Sequence, residues 1–519
     1  MKFKILLYIA LITTITLSCS IEEEPKNFAG DTMFQDVAGA NTVLNSVYAY
    51  VGNFKAMSGI FPQLVTGCSG LFGMGNNGLA NVIGNLSPYS SHNFVTRQWV
   101  GFYTTIGRAN DLIDGLANVS LEEVEEQNNI LGQAYFIRSW MYFNIVRIWG
   151  EVPLVVGRVT PENANLPKSS LDEIYEQIIS DALKAKELLK DVSTQEAGRP
   201  GSQAASMLLA KIYMTLAGNQ TASETNYWQM AKEEASEVYG HYSLVSDLST
   251  LWYPETSNNT KESIFELQGN ETYTYQWEQL YSANQSNLGR NMAGKMFVNL
   301  EVYDSHVNRY PDDPRIATTF VTSFLRYKSS SISDTVTVKT YPHTLQRGKI
   351  RESYPFCFKY FVKDHTKTSY FTNQNLVVYR YSDLLLMMAE IENELNGPSG
   401  AYTYVNEVLS RARTSGGANA TEPADWSGLS QEEFREAIMQ EYTYELLGEG
   451  HDWFNIRRRG YDWFKTHVID VHNSHPVYDF STIYDHEYED NPRIMLLPLP
   501  STEIAANPNI SDSDQNFGY

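Results

Sequence analysis

The chain reads as a mainly α protein, a scaffold of tetratricopeptide-like helix pairs interrupted by long irregular insertions and a few short hairpins. Three observations predict this class. Apolar residues recur at three- and four-residue steps in several separate runs, Pro- and Gly-rich breaks divide those runs, and the helical period fades over about 130 residues in the middle of the chain. The first run, Ile130, Ala134, Ile137, Met141, Ile145 and Ile148, places its apolar residues on one face of a long helix. Ile174, Ile178, Ala182, Ala185 and Leu189 repeat the pattern after the Pro161/Pro167 break, with Ser169 or Ser170 available as an N-cap. Ala205, Leu208, Ile212 and Leu216 follow the Gly198-Arg199-Pro200-Gly201 turn. Helices at this spacing suggest a solenoid, in which each pair needs its neighbour to bury its apolar face.

From about His241 to Asn375 the sequence turns rich in Tyr, Ser, Asn and Thr, with strand-like alternation at Thr335-Val336-Thr337-Val338. Helical order returns with the stripe Leu384, Met388, Ile391 and Leu395, then Tyr404 to Arg413, then Phe434 to Leu447. Irregular segments of this length inside a compact protein are usually functional.

The N-terminal residues point to export. Lys2 and Lys4 precede a run of 13 apolar or hydroxyl residues, Ile5 to Leu17, which closes on Ser18 and Cys19. A bilayer-spanning helix needs about 20 residues, so residues 1–18 read as a signal peptide. Cys19 sits where bacterial lipoproteins are cleaved and acylated, and the polar residues of 19–30 read as a tether. Thr16 stands where the usual pattern has Leu, with Leu17 beside it. The remainder divides at about residue 240, into 31–240 and 241–519, expected to pack as one structural unit.

Only Cys68 and Cys357 remain beyond Cys19, too few for a disulfide scaffold, so an apolar core must hold the fold. About 500 residues, 42% hydrophobic, allow one. A net charge of −22 with no basic cluster beyond Arg457 to Arg459 argues against nucleic acid as a partner. Tyr (34) outnumbers Phe (23), which favours rings with an apolar face and a hydrogen-bonding tip.

Candidate chemistry is sparse. Gly73-Met74-Gly75-Asn76-Asn77-Gly78 spells G-x-G-x-x-G, but no buried strand is expected to run into it, no clear helix to open on it, and no acid follows within twenty residues. The better reading is a loop whose small residues let backbone approach packed protein or a ligand. Glu122, Glu123, Glu125 and Glu126 suit a solvated helix start. Glu441, Glu445 and Glu449, at four-residue steps, are expected to pair with arginines such as Arg435 and Arg457. Glycoside cleavage would need two carboxyls about 5–10 Å apart across a cleft, which spacing in sequence does not supply. The ten histidines show no metal-ligand spacing, so neither metal nor cofactor is expected; Asp512 and Asp514 offer only a faint calcium motif.

Ligand contact is expected in two aromatic loops. One holds Phe72, Asn76, Asn77, Tyr89 and His92; the other holds Tyr273, Tyr275, Trp277, Tyr281, Gln285 and Asn287. A flat exposed ring edged by amides suits a sugar, whose C–H faces stack and whose hydroxyls hydrogen-bond. Trp99, Tyr103, Tyr142 and Trp149 lie in helical patterns and are expected in the core.

Several segments, in order, resemble the SusD/RagB family. Trp99, Tyr103, Ile106, Ala109 and Asn110 match one helix; Arg138, Tyr142-Phe143, Trp149-Gly150 and Pro153-Leu154 match the next segment. Asp312 to Arg315, Tyr379 to Leu386 with Ala389-Glu390, and Asn406 with Arg411 to Arg413 are similar to its C-terminal half. Glu445, Glu449 to His451, Trp453-Phe454, Arg457-Arg458, Gly460, Leu497 to Pro500 and Gln515 to Tyr519 complete the likeness. Tyr442, Asp452 and Asn455-Ile456 depart from the family pattern. The resemblance implies about four tetratricopeptide-like helix pairs below a variable binding face. It implies a non-enzymatic, lipid-anchored protein on the outer face of the outer membrane, with a SusC-like TonB-dependent barrel as partner. Glycans are the usual ligands of such proteins; some relatives capture peptides.

Overall fold

The computed structural model describes residues 31–75, 78–218, 226–270, 275–283, 294–328, 333–341, 354–361, 363–364, 372–476 and 487–519. The apolar runs form helices whose ends the local chemistry fixes. Val124–Trp149 carries the first run, with Glu125 and Glu126 in its first turn, and stops at Gly150, whose φ of 74° a side chain would resist. Ser170, not Ser169, caps Leu171–Leu188 in a reciprocal box with Glu173, while the Ser169 N–H donates to the Val152 carbonyl. Ser202–Gly218 holds the third run; Tyr381–Asn396, Pro398–Thr414 and Gln431–Leu446 hold the later ones. Gly397 at φ 83° and Pro398 at the first helical position turn the chain sharply between two of them.

Neighbours in sequence stack on one another. Asn93–Leu116 packs on Val124–Trp149, which packs on Leu171–Leu188, and Ser202–Gly218 pairs with Tyr227–Ser236. Tyr381–Asn396 packs on Tyr227–Ser236, Pro398–Thr414 and Gln431–Leu446, joining the early and late helices. The scaffold is therefore helical and tetratricopeptide-like. Trp99, Tyr142 and Trp149 are buried as expected, and the Trp149 indole N–H donates to the Pro498 carbonyl.

Strands are short, paired and antiparallel. Ser263–Leu267 joins Leu376–Arg380, and the latter runs directly into the Tyr381–Asn396 helix. Phe320–Val321 joins Phe356–Cys357, and Ser323–Tyr327 pairs with Thr335–Lys339, the alternating segment. One helix of the middle region, Leu300–Arg309, has no clear trace in the sequence, because its buried Leu300, Val302, Tyr303 and His306 include too few aliphatic residues to make a stripe. Among the described residues two clusters form the core: the large one runs from Phe34 to Ile510, and a satellite of Ala283, Phe297, Leu300, Val321, Phe324, Val338, Tyr354, Phe356 and Phe361 lies under the middle strands.

The glycine motif differs from its expected form. Phe72–Met74 is a strand, paired with Met296–Val298, and a short helix opens at Gly78. A Cβ on Gly73 would lie 2.1 Å from the Phe297 ring, so this glycine admits packed protein. Asn76 and Asn77 lie outside the described residues. Cys68 and Cys357 are free thiols buried in the core, and burial pushes the Cys357 thiol up to about 11.

Candidate functional site

An open groove of about 450 Å³ lies over the satellite core. Phe320, Val321, Phe324 and Phe361 form its floor; Tyr253, Thr322, Ser323, Leu325, Phe358 and Lys363 form its walls and rim. Alternation along two short segments aims these residues. At the end of the Leu248–Trp252 turn, Trp252 points inward and Tyr253, 37% exposed, points outward. In Phe358-Lys359-Tyr360, Phe358 faces the groove, while Lys359 and Tyr360 are buried. The Tyr253 and Phe358 rings meet edge to face, 6.0 Å apart at 68°. Lys363 Nζ lies 4.8 Å from the Phe358 ring centroid and donates to the Lys359 carbonyl at 2.9 Å. The groove thus presents two ring surfaces, hydroxyls and a cation, the kind of lining that stacks an apolar face and orients polar groups around it.

What holds this platform from beneath is a buried ion network. Arg380 binds Glu262 at 2.8 Å, Glu445 at 2.6 Å and Glu449 at 2.7 Å. Arg315 binds Asp313, Glu441 and Glu445; Arg411 bridges Glu262 and Glu445; Lys359 reaches Glu449 at 2.6 Å. Lys359 Nζ also sits 5.2 Å from the Trp252 ring. Trp252 and Lys359, the neighbours of Tyr253 and Phe358 in the chain, are therefore tied into the network through their side chains. Burial alone would raise the Glu445 carboxyl, but Arg411, Arg380 and Arg315 outweigh it and hold Glu445 well below the usual carboxylate range. Burial likewise works against Asp313, yet Arg315 and His306 bring it down to about 2. Glu441 goes the other way, raised by burial despite Arg315.

This network corrects an expectation. Glu441, Glu445 and Glu449 do not pair with Arg435 or Arg457: Arg435 binds Glu394 and Glu432, and Arg457 has no carboxylate partner among the described residues. The three acids are structural, and the cations that meet them come from residues 34 to 130 positions away in sequence. Glu123 and Glu125 remain solvated at their helix start, and Glu126 binds Lys190 at 2.7 Å.

The aromatic residues expected to face ligand mostly do not. Phe72 and Tyr281 are fully buried against each other, edge to face at 5.6 Å. Trp277, 2% exposed, donates its indole N–H to the Met57 carbonyl at 2.9 Å and lines a small cavity of about 30 Å³. The Tyr275 hydroxyl donates to the Gln268 carbonyl at 3.0 Å, leaving the ring buried. His92 is buried too, its Nδ1 accepting the Phe94 N–H and capping the Asn93–Leu116 helix. The physical reason is common to all five: each ring removes a large apolar area from water inside the fold, and those with polar tips find protein partners for them. Tyr89, 41% exposed, does face solvent but is not part of the groove. Asn76, Asn77, Tyr273, Gln285 and Asn287 lie outside the described residues. Tyr253, Phe358 and Lys363 were not legible as site residues, although the crowding of Phe356, Phe358, Tyr360 and Phe361 is a signal that could have drawn attention.

Near the C-terminus Asp514 accepts the Ser511 N–H and hydroxyl, a local cap at Asp512–Asp514. No group of three or more metal-ligating residues gathers among the described residues, and no helix there is long and apolar enough to cross a membrane.

Fold and groove define a helical-repeat scaffold protein whose insertions carry an open aromatic surface. The SusD family model matches residues 261–519, and a second model, described as starch-binding associating with outer membrane, matches residues 40–214. The SusD-like protein P2 of Formosa agariphila is 25% identical over the full length of both chains. A SusD homolog from Bacteroides thetaiotaomicron superposes with a TM-score of 0.77 at 20% identity, covering 94% of this chain and 98% of its own. A structure described as a laminarin binding SusD-like protein gives 0.70 at 20% identity, covering 94% and 100%. The chain belongs to the SusD/RagB family.

Proposed function

We propose that this protein is a cell-surface receptor that captures an oligosaccharide without transforming it and passes it to a SusC-like TonB-dependent barrel, held beside that barrel by lipid on Cys19. The observation that carries the reading is the groove: about 450 Å³, within the range of small-ligand sites, with Tyr253 and Phe358 offering ring faces and Ser323, Thr322 and Lys363 offering polar contacts. Family membership supports a glycan as the ligand, and the laminarin-binding relative suggests a β-glucan for the first trial. Weak contacts suffice, because tethering beside a transporter raises the effective concentration of anything held. A binding role in place of catalysis is supported by the fate of the aligned acids: Glu441, Glu445 and Glu449 are buried against arginines and lysine, out of reach of any substrate.

Calorimetry with the mature chain against laminarin, other plant and microbial glycans and a peptide mixture tests this. A glycan is expected to bind with a dissociation constant of micromolar to millimolar order, and the Tyr253→Ala, Phe358→Ala double variant to bind it at least about tenfold more weakly. Heat with peptides alone would move the protein to the peptide-capturing side of the family. Undiminished glycan binding by the double variant would remove the groove from the site.

A further inference from the structure

A separate cavity, of about 130 Å³, lies between the Leu171–Leu188 and Asp452–Arg457 helices, lined by Arg147, Tyr175, Thr215, Phe454, Arg457 and Arg458 among others. Three guanidinium groups in one small cavity, in a chain of net charge −22, call for neutralisation. Among the described residues only one has it: Arg458 is bound by both oxygens of Glu390. Arg147 stacks between two rings, 3.8 Å from the Phe143 centroid and 3.6 Å from that of Phe454. Its hydrogen bonds go to the Phe143 carbonyl and the Asn144 amide oxygen, so no carboxylate among the described residues meets it and donors of its planar fork remain for another partner. Arg457 lies over the Trp453 ring, with Nη1 buried and without a hydrogen-bond partner among the described residues.

The charges around the cavity do not fill this gap. Asp383 is bound to Lys211 at 2.7 Å, and Glu449 to Arg380 and Lys359. His451 is pushed down to about 4 by burial, despite Asp383, and adds no charge at neutral pH. Burial also pulls Arg147 down to about 9 and Arg457 to about 10, which leaves both protonated and incompletely solvated.

We infer that the Arg147–Arg457 cavity is a binding site for a single small oxyanion, a carboxylate, phosphate or sulfate group, distinct from the aromatic groove. Planar guanidinium forks match such groups with paired hydrogen bonds, and the Tyr175 side chain lines the same space. The volume fits one such group with a water or two and is too small for a glycan chain. The group could belong to a free ion or to an acidic sugar, and Leu171, exposed at the cavity's edge, marks where a larger ligand would enter.

Calorimetry and thermal unfolding of the mature chain at constant ionic strength test the site, with inorganic phosphate, sulfate, glucuronate, glucose and chloride as probes. Saturable binding of phosphate, sulfate or glucuronate, and none of glucose, is expected. Binding of glucuronate assigns the site to an acidic sugar, and binding of inorganic ions alone assigns it to a free ion. Arg457→Gln should weaken that binding at least about tenfold, and Arg457→Lys, which keeps the charge but loses the paired donors, should weaken it to a smaller extent. The Tyr253→Ala, Phe358→Ala variant should bind the anion like the unaltered chain, which separates this site from the groove. No saturable anion binding by the unaltered chain, or equal binding by Arg457→Gln, overturns the assignment.

Discussion

The two sides of the Phe358-Lys359-Tyr360 segment use side chains of similar chemistry to opposite ends. On the inner side Lys359, Arg380, Arg315 and Arg411 meet their carboxylates away from water, and Trp252 and Tyr360 pack over them. On the outer side Tyr253, Phe358 and Lys363 are partly solvated and rest on a satellite core of nine buried residues. The difference teaches that charge and aromaticity mark stability where partners close around them and binding where they do not. Stability and recognition should therefore respond in opposite order to substitution.

The largest stability loss is expected from Arg380→Ala, which strands Glu262, Glu445 and Glu449 without their shared cation; about 3–5 kcal/mol should be lost in denaturant unfolding. A loss under about 1 kcal/mol would mean the network is not what holds the platform. Next comes Asp452, which burial pushes up to about 7 while its carboxylate accepts the Gly448 N–H. Its folded pKa exceeds its unfolded one, so its contribution to stability is present below the ordinary carboxylate value and is lost as pH rises through about 7. His451 and His306, pushed down by burial, act in the opposite direction, so the comparison must be made against a variant. Between pH 4 and 8, Asp452→Asn should gain about 3 kcal/mol relative to the unaltered chain, and parallel pH profiles would contradict the shift.

A smaller effect is expected in the satellite core. Phe356→Leu should cost about 1–2 kcal/mol, and hydrogen exchange should quicken in Ser323–Tyr327 and Phe356–Cys357 while the Val124–Trp149 helix keeps its protection. Uniform loss across both regions would show that the satellite does not yield separately. Tyr253→Ala, at the exposed rim, should change stability by less than about 0.5 kcal/mol and still impair glycan capture. A large drop in melting temperature would place this ring among structural groups after all.

Much of the scaffold was legible because helix signals are local. The Ile130 to Ile148 stripe, the Leu384 to Leu395 stripe and a serine cap at 169 or 170 each operate within a few residues. The Leu300–Arg309 helix escaped notice because its buried face includes His306 and Tyr303, residues that make no aliphatic stripe. The site was far less legible. Trp277 and Tyr281 have the composition of a binding loop, yet Met57, Tyr360 and Phe72 close over them from other parts of the chain.

The sequence by itself determined the helical class, the apolar runs that become the long helices and the likeness to a family, since periodicity depends on residues within one or two turns. Only the tertiary structure decided which rings are covered, which acids meet arginines and which arginines are left without a carboxylate. Burial and ion pairing depend on what distant segments bring to the same place, as Arg315 and Glu441 do across 126 positions, and no local spacing encodes that.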